Sequence, residues 1–343
     1  MKLMKISRRK FIALTSFIGA GLLLSGFYTS ISLRKNIQPL KPSEEKAKVF
    51  IASAENKQAS IKQVLENFHL ENYDGASVAL KANFNSADPF PASTDITTLT
   101  TVIKALKNSG VKEIALGERS GMGNTRKILE DKGVFDLSKK LGFKVVVLDE
   151  LDKDGWLQIP SDGTHWLNGF PIAKMFLEAD RVVQLCCLKT HRFGGHFTMS
   201  LKNSVGLIAK QLPKSLYNYM AELHSSPFQR LMIAEINRFY KVDLVIMDAE
   251  KAFVKGGPER GEIVKPNLIL ASKDRVAIDA VGVAILRLYG STREVMKGKI
   301  FELEQIKRAV ELGVGVNSPE KIDLIPLDEF SQEMSERIKT FLS

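Results

Sequence analysis

The sequence predicts an α/β fold, a mainly parallel buried sheet flanked by helices. Apolar runs of strand length recur along the chain. They are rich in Val, Ile and Leu, as strands covered on both faces are. Segments with helical spacing separate them, and such alternation is the mark of an α/β sheet. In order, strands are expected at 49–52, 77–80, 114–116, 145–148, 182–188, 244–247, 268–271 and 322–325. Helices are expected at 61–68, at 96–108 closed by Gly110, at 125–132 behind a capping Asn124, at 227–239, at 276–288 behind a capping Asp274, and at 302–312. No internal repeat interrupts this order. Residues 47–327 are enough for one large domain or two packed lobes. An amphipathic tail, 328–343, follows.

The N-terminal segment reads differently. Ser7-Arg8-Arg9-Lys10-Phe11 sets adjacent arginines before residues 11–33, none of which is charged. That is the address of the twin-arginine export machinery for folded chains. The uncharged stretch exceeds the ~20 residues that cross a bilayer as a helix. Residues 1–33 are therefore expected to be a signal that either anchors the chain in the membrane or is cleaved to release it, and 34–46, with Pro39 and Pro42, a linker. The folded part is placed on the extracytoplasmic side. The formal charge of +10 belongs to this segment, because residues 1–48 hold ten cations against Glu44 and Glu45, which leaves only +2 beyond. A nearly neutral body argues against a nucleic-acid partner. The two cysteines, Cys186 and Cys187, are adjacent in an apolar run and would point to opposite faces of a strand, so no disulfide is expected. Without Cys-x-x-Cys, a cysteine-ligated iron–sulfur cluster is excluded.

Chemistry concentrates where apolar runs give way to polar residues, because ligands of open α/β sheets collect beyond the carboxyl ends of the strands. Leu188-Lys189-Thr190-His191-Arg192-Phe193-Gly194-Gly195-His196 is the richest such stretch. Lys189 and His191 could hold a small anion and move a proton, or His191 and His196, with Asp248, could ligate a metal ion. Equally, Lys189 could reach solvent while the histidines cap carbonyls. Lys202 and Asn203 interrupt an apolar, helix-like segment. Lys81 and Asn83, two residues apart, share a side of an extended chain. Gly256 and Gly257 would let backbone approach a ligand. Asp279 falls on the apolar face of its helix, and a carboxylate there needs a partner, either one of the lysines or a ligand.

Taken together, Leu80-Lys81-Ala82-Asn83-Phe84, Leu106-Lys107-x-x-Gly110, Leu188-Lys189-Thr190-His191, Ser200-Leu201-Lys202-Asn203-Ser204-Val205-Gly206, Gly256-Gly257-Pro258-x-x-Gly261 and Ala271-Ser272-Lys273-Asp274-Arg275-Val276-Ala277-Ile278-Asp279-Ala280 resemble the domain-of-unknown-function family 362. The resemblance implies a common α/β domain and one shared crevice containing Lys81, Asn83, Lys189, His191, Lys202, Asn203 and Asp279. It implies no reaction. Two functions follow as expectations. One is an exported protein that binds or transforms a small anionic ligand, with Lys189, His191 and Asp279 as catalytic residues and Lys81, Asn83, Lys202, Asn203, Gly256 and Gly257 as binding residues. The other is a non-catalytic, cofactor-binding accessory of a membrane redox system.

Overall fold

The computed structural model describes residues 45–342, Met122 excepted. The expected signal and anchor, and most of the linker, lie outside the described residues.

Twelve strands follow in chain order: β1 (Ala47–Ser53), β2 (Ser77–Lys81), β3 (Glu113–Glu118), β4 (Lys144–Val147), β5 (Trp156–Ile159), β6 (Phe170–Ala173), β7 (Arg181–His191), β8 (His196–Thr198), β9 (Leu244–Gly256), β10 (Gly261–Val264), β11 (Leu268–Ser272) and β12 (Ile322–Pro326). Ten of them form one sheet in the order β12-β1-β11-β9-β7-β2-β3-β4, with β8 added to β7 and β10 to β9, while β5 and β6 make a separate hairpin. Pairing is parallel from β9 through β7, β2 and β3 to β4, and again between β12 and β1. β11 runs antiparallel to both neighbours. The sheet is therefore mainly parallel, as the apolar runs predict.

Alternation along each strand divides the core between two faces. Val49, Ile51, Val245 and Met247 pack on one face with the helices Arg275–Leu288 and Glu329–Leu342. Ala52, Leu244 and Ile246 pack on the other with Ile61, Val64, Leu99, Val102 and Ile103 of the helices Lys57–Leu65 and Ile96–Asn108. The expected caps are in place. Asn124 accepts from Lys127 N, and Asp274 accepts from Val276 N, Ala277 N and, across the fold, Val316 N. The stretch expected as a tail is instead part of the core, since Met334, Ile338 and Leu342 of the last helix are buried in it. No helix among the described residues is long and apolar enough to cross a membrane.

The topology also fixes where a ligand would lie. From β2 the chain steps outward to β3 and β4, then returns to the other side of β2 as β7 and continues to β9. The direction of winding thus reverses between β2 and β7, and a crevice opens at the carboxyl ends of strands at such a reversal.

Candidate functional site

A cavity of about 400 Å³ lies at that reversal. Lys81 from the end of β2, Glu118 and Arg119 from the end of β3, and Lys189 and His191 from the end of β7 all line it. Lys202 and Asn203 enter from the short helix Ser200–Asn203, and His224 and Met220 from the helix Tyr219–Ser225. Phe84, Ile128, Phe193 and Val205 supply apolar walls.

β7 runs on through Lys189-Thr190-His191, past the strand end expected at 188. β8 pairs back on this end with Lys189 opposite Thr198 and His191 opposite His196. The polar residues are thus fixed to a sheet.

The three lysines are all buried, yet only two are braced. Lys81 Nζ forms an ion pair with Glu118 and donates to Ala82 O at 2.6 Å. Lys189, 0% exposed, donates to Asn83 Oδ1 at 2.8 Å and to the Ala92 carbonyl, so it neither reaches solvent nor stands free for an anion. Asn83 and Asn203 link the two, because Asn203 Oδ1 receives Asn83 Nδ2 and Lys81 Nζ, both at 3.4 Å. Lys202, 9% exposed, has no hydrogen-bond or ion-pair partner among the described residues. Burial, aggravated by Lys189 and Arg119, brings its ammonium down to about 7.

The surrounding groups are equally underused. Arg119 donates through Nη1 to Ser120 O at 2.9 Å and through Nη2 to the Val205 carbonyl, while its Nε has no partner. Burial lowers this guanidinium to about 10, so it stays charged at neutral pH. His191 Nδ1 and Thr198 Oγ1 are also buried without partners. Burial, with Lys202 nearby, drives His191 well below the usual imidazole range, so the ring is neutral, with two nitrogens of which one can donate and the other accept. The rim acids are already engaged, Glu259 by Arg192 and Asp88 by Ser86 Oγ at 2.6 Å.

Several sequence expectations need correction. Asp279 meets no lysine and does not line the cavity. Its two carboxylate oxygens accept the backbone amides of Ser200 at 2.8 Å and Leu201 at 2.9 Å, so it fixes the start of the helix that carries Lys202 and Asn203. Asp248 lies within β9, not at its end, and is held by Lys57 at 3.0 Å and Thr98 Oγ1 at 2.6 Å. It is not brought together with the histidines. His196 opens β8, only partly buried, and does not line the cavity. No group of three or more His, Cys, Asp or Glu side chains that could hold a metal exists among the described residues, so the expected metal set His191, His196 and Asp248 is not assembled. Gly256 and Gly257 do not line the cavity either. A Cβ on Gly257, whose φ is +63°, would collide with the Thr190 carbonyl, so glycine there lets the β9–β10 hairpin close on β7 and bring Pro258 and Glu259 to the rim. Glu118, Arg119 and His224 were not anticipated.

Among solved structures, the chain is similar to the lactate racemase apoprotein from Thermoanaerobacterium thermosaccharolyticum, at 20% identity and a TM-score of 0.40, covering 65% of this chain and 54% of that one. It spans about half the length of that protein. A comparison with curated proteins finds no match. A family model described as "Domain of unknown function (DUF362)" matches residues 78–284, the stretch that runs from β2 into the Arg275–Leu288 helix and supplies nearly every wall of the cavity. The chain belongs to the DUF362 family.

Proposed function

We propose that the crevice binds a small organic anion, with Lys202 and Arg119 as the groups that receive its charge. The observation that carries this reading is Lys202 itself, a largely buried side chain whose amine has no partner among the described residues, in a cavity also lined by Arg119 with its unpaired Nε. An unpaired buried charge costs several kcal/mol, so an anion that supplies the missing partner is favoured. The apolar walls select a ligand with a hydrocarbon body behind its anionic end.

The pH dependence follows from the same side chain. Lys202 is protonated below about 7 and neutral above. The groups facing it are Lys189, Arg119, His191 and His224, of which Lys189 and Arg119 are the cations that depress it and His191 is neutral. Titration with 3-phenylpropionate by calorimetry is therefore expected to give tightest binding near pH 6 and a loss of about tenfold by pH 8.5. Lys202→Met is expected to bind weakly with a flattened profile. Unchanged affinity in Lys202→Met would end this reading. Because the folded state holds Lys202 below its unfolded value, its ionisation lowers stability as pH falls from about 10.5 to about 7. The same variant should therefore be more stable than the natural chain at neutral pH, by urea unfolding.

We further propose that residues 1–33 direct folded export and hold the domain at the outer face of the membrane, a reading supported by Arg8 and Arg9 ahead of the uncharged 11–33 stretch. In a native-like host, Arg8→Lys with Arg9→Lys should shift the protein from the membrane and exported fractions to the cytoplasm. Unaltered fractionation would exclude the twin-arginine route.

A further inference from the structure

Three lysines are buried around one cavity, and they are not alike. Lys81 and Lys189 have their acceptors within the fold, so each is held as a structural cation. Lys202 has none. An amine that is desolvated and near other cations loses its proton readily, and a neutral amine in an apolar-walled cavity is a nucleophile. Beside it stands His191, neutral and with an unpaired Nδ1. The two side chains flank Gly195, where a Cβ would lie 2.8 Å from Lys202 Cε and 3.0 Å from His191 Nδ1. Glycine at this position leaves room for the end of the Lys202 side chain and the His191 ring side by side.

We propose that Lys202 is an imine-forming nucleophile and that the ligand of this crevice is a 2-oxo acid with a hydrocarbon side chain, its carboxylate taken by Arg119 and its carbonyl presented to Lys202 beside His191. This rests on the anion-binding reading above and adds a carbonyl to it. The step balances within the protein and its ligand. The Nζ lone pair adds to the carbonyl carbon, and the carbon–oxygen π pair moves to oxygen, which takes one proton from the nitrogen, relayed by His191. The carbon–oxygen bond then breaks, the nitrogen lone pair forms the second carbon–nitrogen bond, and the oxygen leaves as water with the second proton lost by nitrogen. Amine and oxo acid become imine and water, with nothing oxidised or reduced. His191 acts on protons only.

Reductive trapping tests this on the purified full chain. The protein is incubated near neutral pH with phenylpyruvate, or with the smaller pyruvate, in the presence of cyanoborohydride, which reduces an imine to a stable secondary amine. Intact mass and peptide mapping then locate the adduct. The expected result is a single adduct on Lys202, absent from Lys202→Met. Surface lysines should remain largely unlabelled, because at neutral pH they are roughly a thousandfold less deprotonated. His191→Gln is expected to slow trapping on Lys202 severalfold without changing where the adduct forms. Gly195→Ala, which presses on both side chains, should slow trapping as well.

No adduct on Lys202 with either oxo acid overturns the proposal, as does labelling spread evenly over Lys202 and surface lysines. The two readings fail separately. If 3-phenylpropionate binds in a Lys202-dependent way but no adduct forms, the imine falls and the anion site stands. If neither occurs, both fall. Circular dichroism on Lys202→Met and His191→Gln separates loss of the nucleophile or relay from loss of the fold.

Discussion

Replacing Glu118 by alanine is expected to lower the unfolding free energy by about 3–5 kcal/mol. Glu118 is fully buried and is the only carboxylate paired with Lys81 among the described residues. It also accepts the backbone amides of Phe84 at 3.1 Å and Arg119 at 2.9 Å, so three donors converge on one side chain. Its removal would leave the Lys81 ammonium in the interior with only the Ala82 carbonyl and a long contact to Asn203. The cost comes from this stranded charge more than from the lost attraction. Lys81→Met in the same molecule removes the charge, so the double variant Lys81→Met, Glu118→Ala should be less destabilised than the sum of the single changes. Urea unfolding of the four proteins completes the cycle. If the single effects simply add, the pair is not coupled and the brace described here is wrong.

This brace was only half legible. Lys81 stands out in the sequence because a polar residue closes an apolar run, and Glu118-Arg119 close the run before them in the same way, although glycine at 117 separates the acid from the apolar residues and weakens the signal. His224 carried no comparable signal. It sits on a short helix whose place over the cavity is set by tertiary packing. The central strands β2, β7, β9 and β11 are readable because burial on both faces makes them apolar over most of their length, and the outer strands because Val, Ile and Leu still recur in them. β8 and β10, the added strands, are short and lie beside polar turns, so nothing in composition marks them. The antiparallel direction of β11 was equally hidden, since direction is set by the path of the connection and not by side chains. The expected metal set failed for a related reason. The apolar run stops at 247, just before Asp248, but β9 continues through it, and strand periodicity cannot reveal that Lys57 and Thr98 hold it from a packed helix layer.

Asp279 needs a partner, as its place on an apolar helix face implies, but that partner is a pair of backbone amides, and their loss is the second large effect. Asp279→Ala is expected to cost about 2–4 kcal/mol, because two buried amides, Ser200 N and Leu201 N, would lose their acceptors with no water to replace them. Backbone amides have no sequence signature, which is why a lysine looked the more natural partner. Asp279→Asn retains one acceptor oxygen but sets an amide group against the other N–H, so an intermediate loss is expected. Burial outweighs the two amide bonds and holds this carboxyl up to about 7, against 3.8 for the ordinary group. The folded protein therefore keeps a proton that the unfolded chain releases between about pH 4 and 7, and the stability this lends is full below that window and lost as pH rises through it. In urea unfolding from pH 4.5 to 8, the natural chain should show this decline and Asp279→Asn should lack that part of it. The anchored helix carries Lys202, so Asp279→Ala is also expected to weaken 3-phenylpropionate binding although residue 279 never touches the cavity. A variant that loses stability yet binds the anion normally would show that Lys202 is positioned without this anchor, and that Asp279 serves the fold alone.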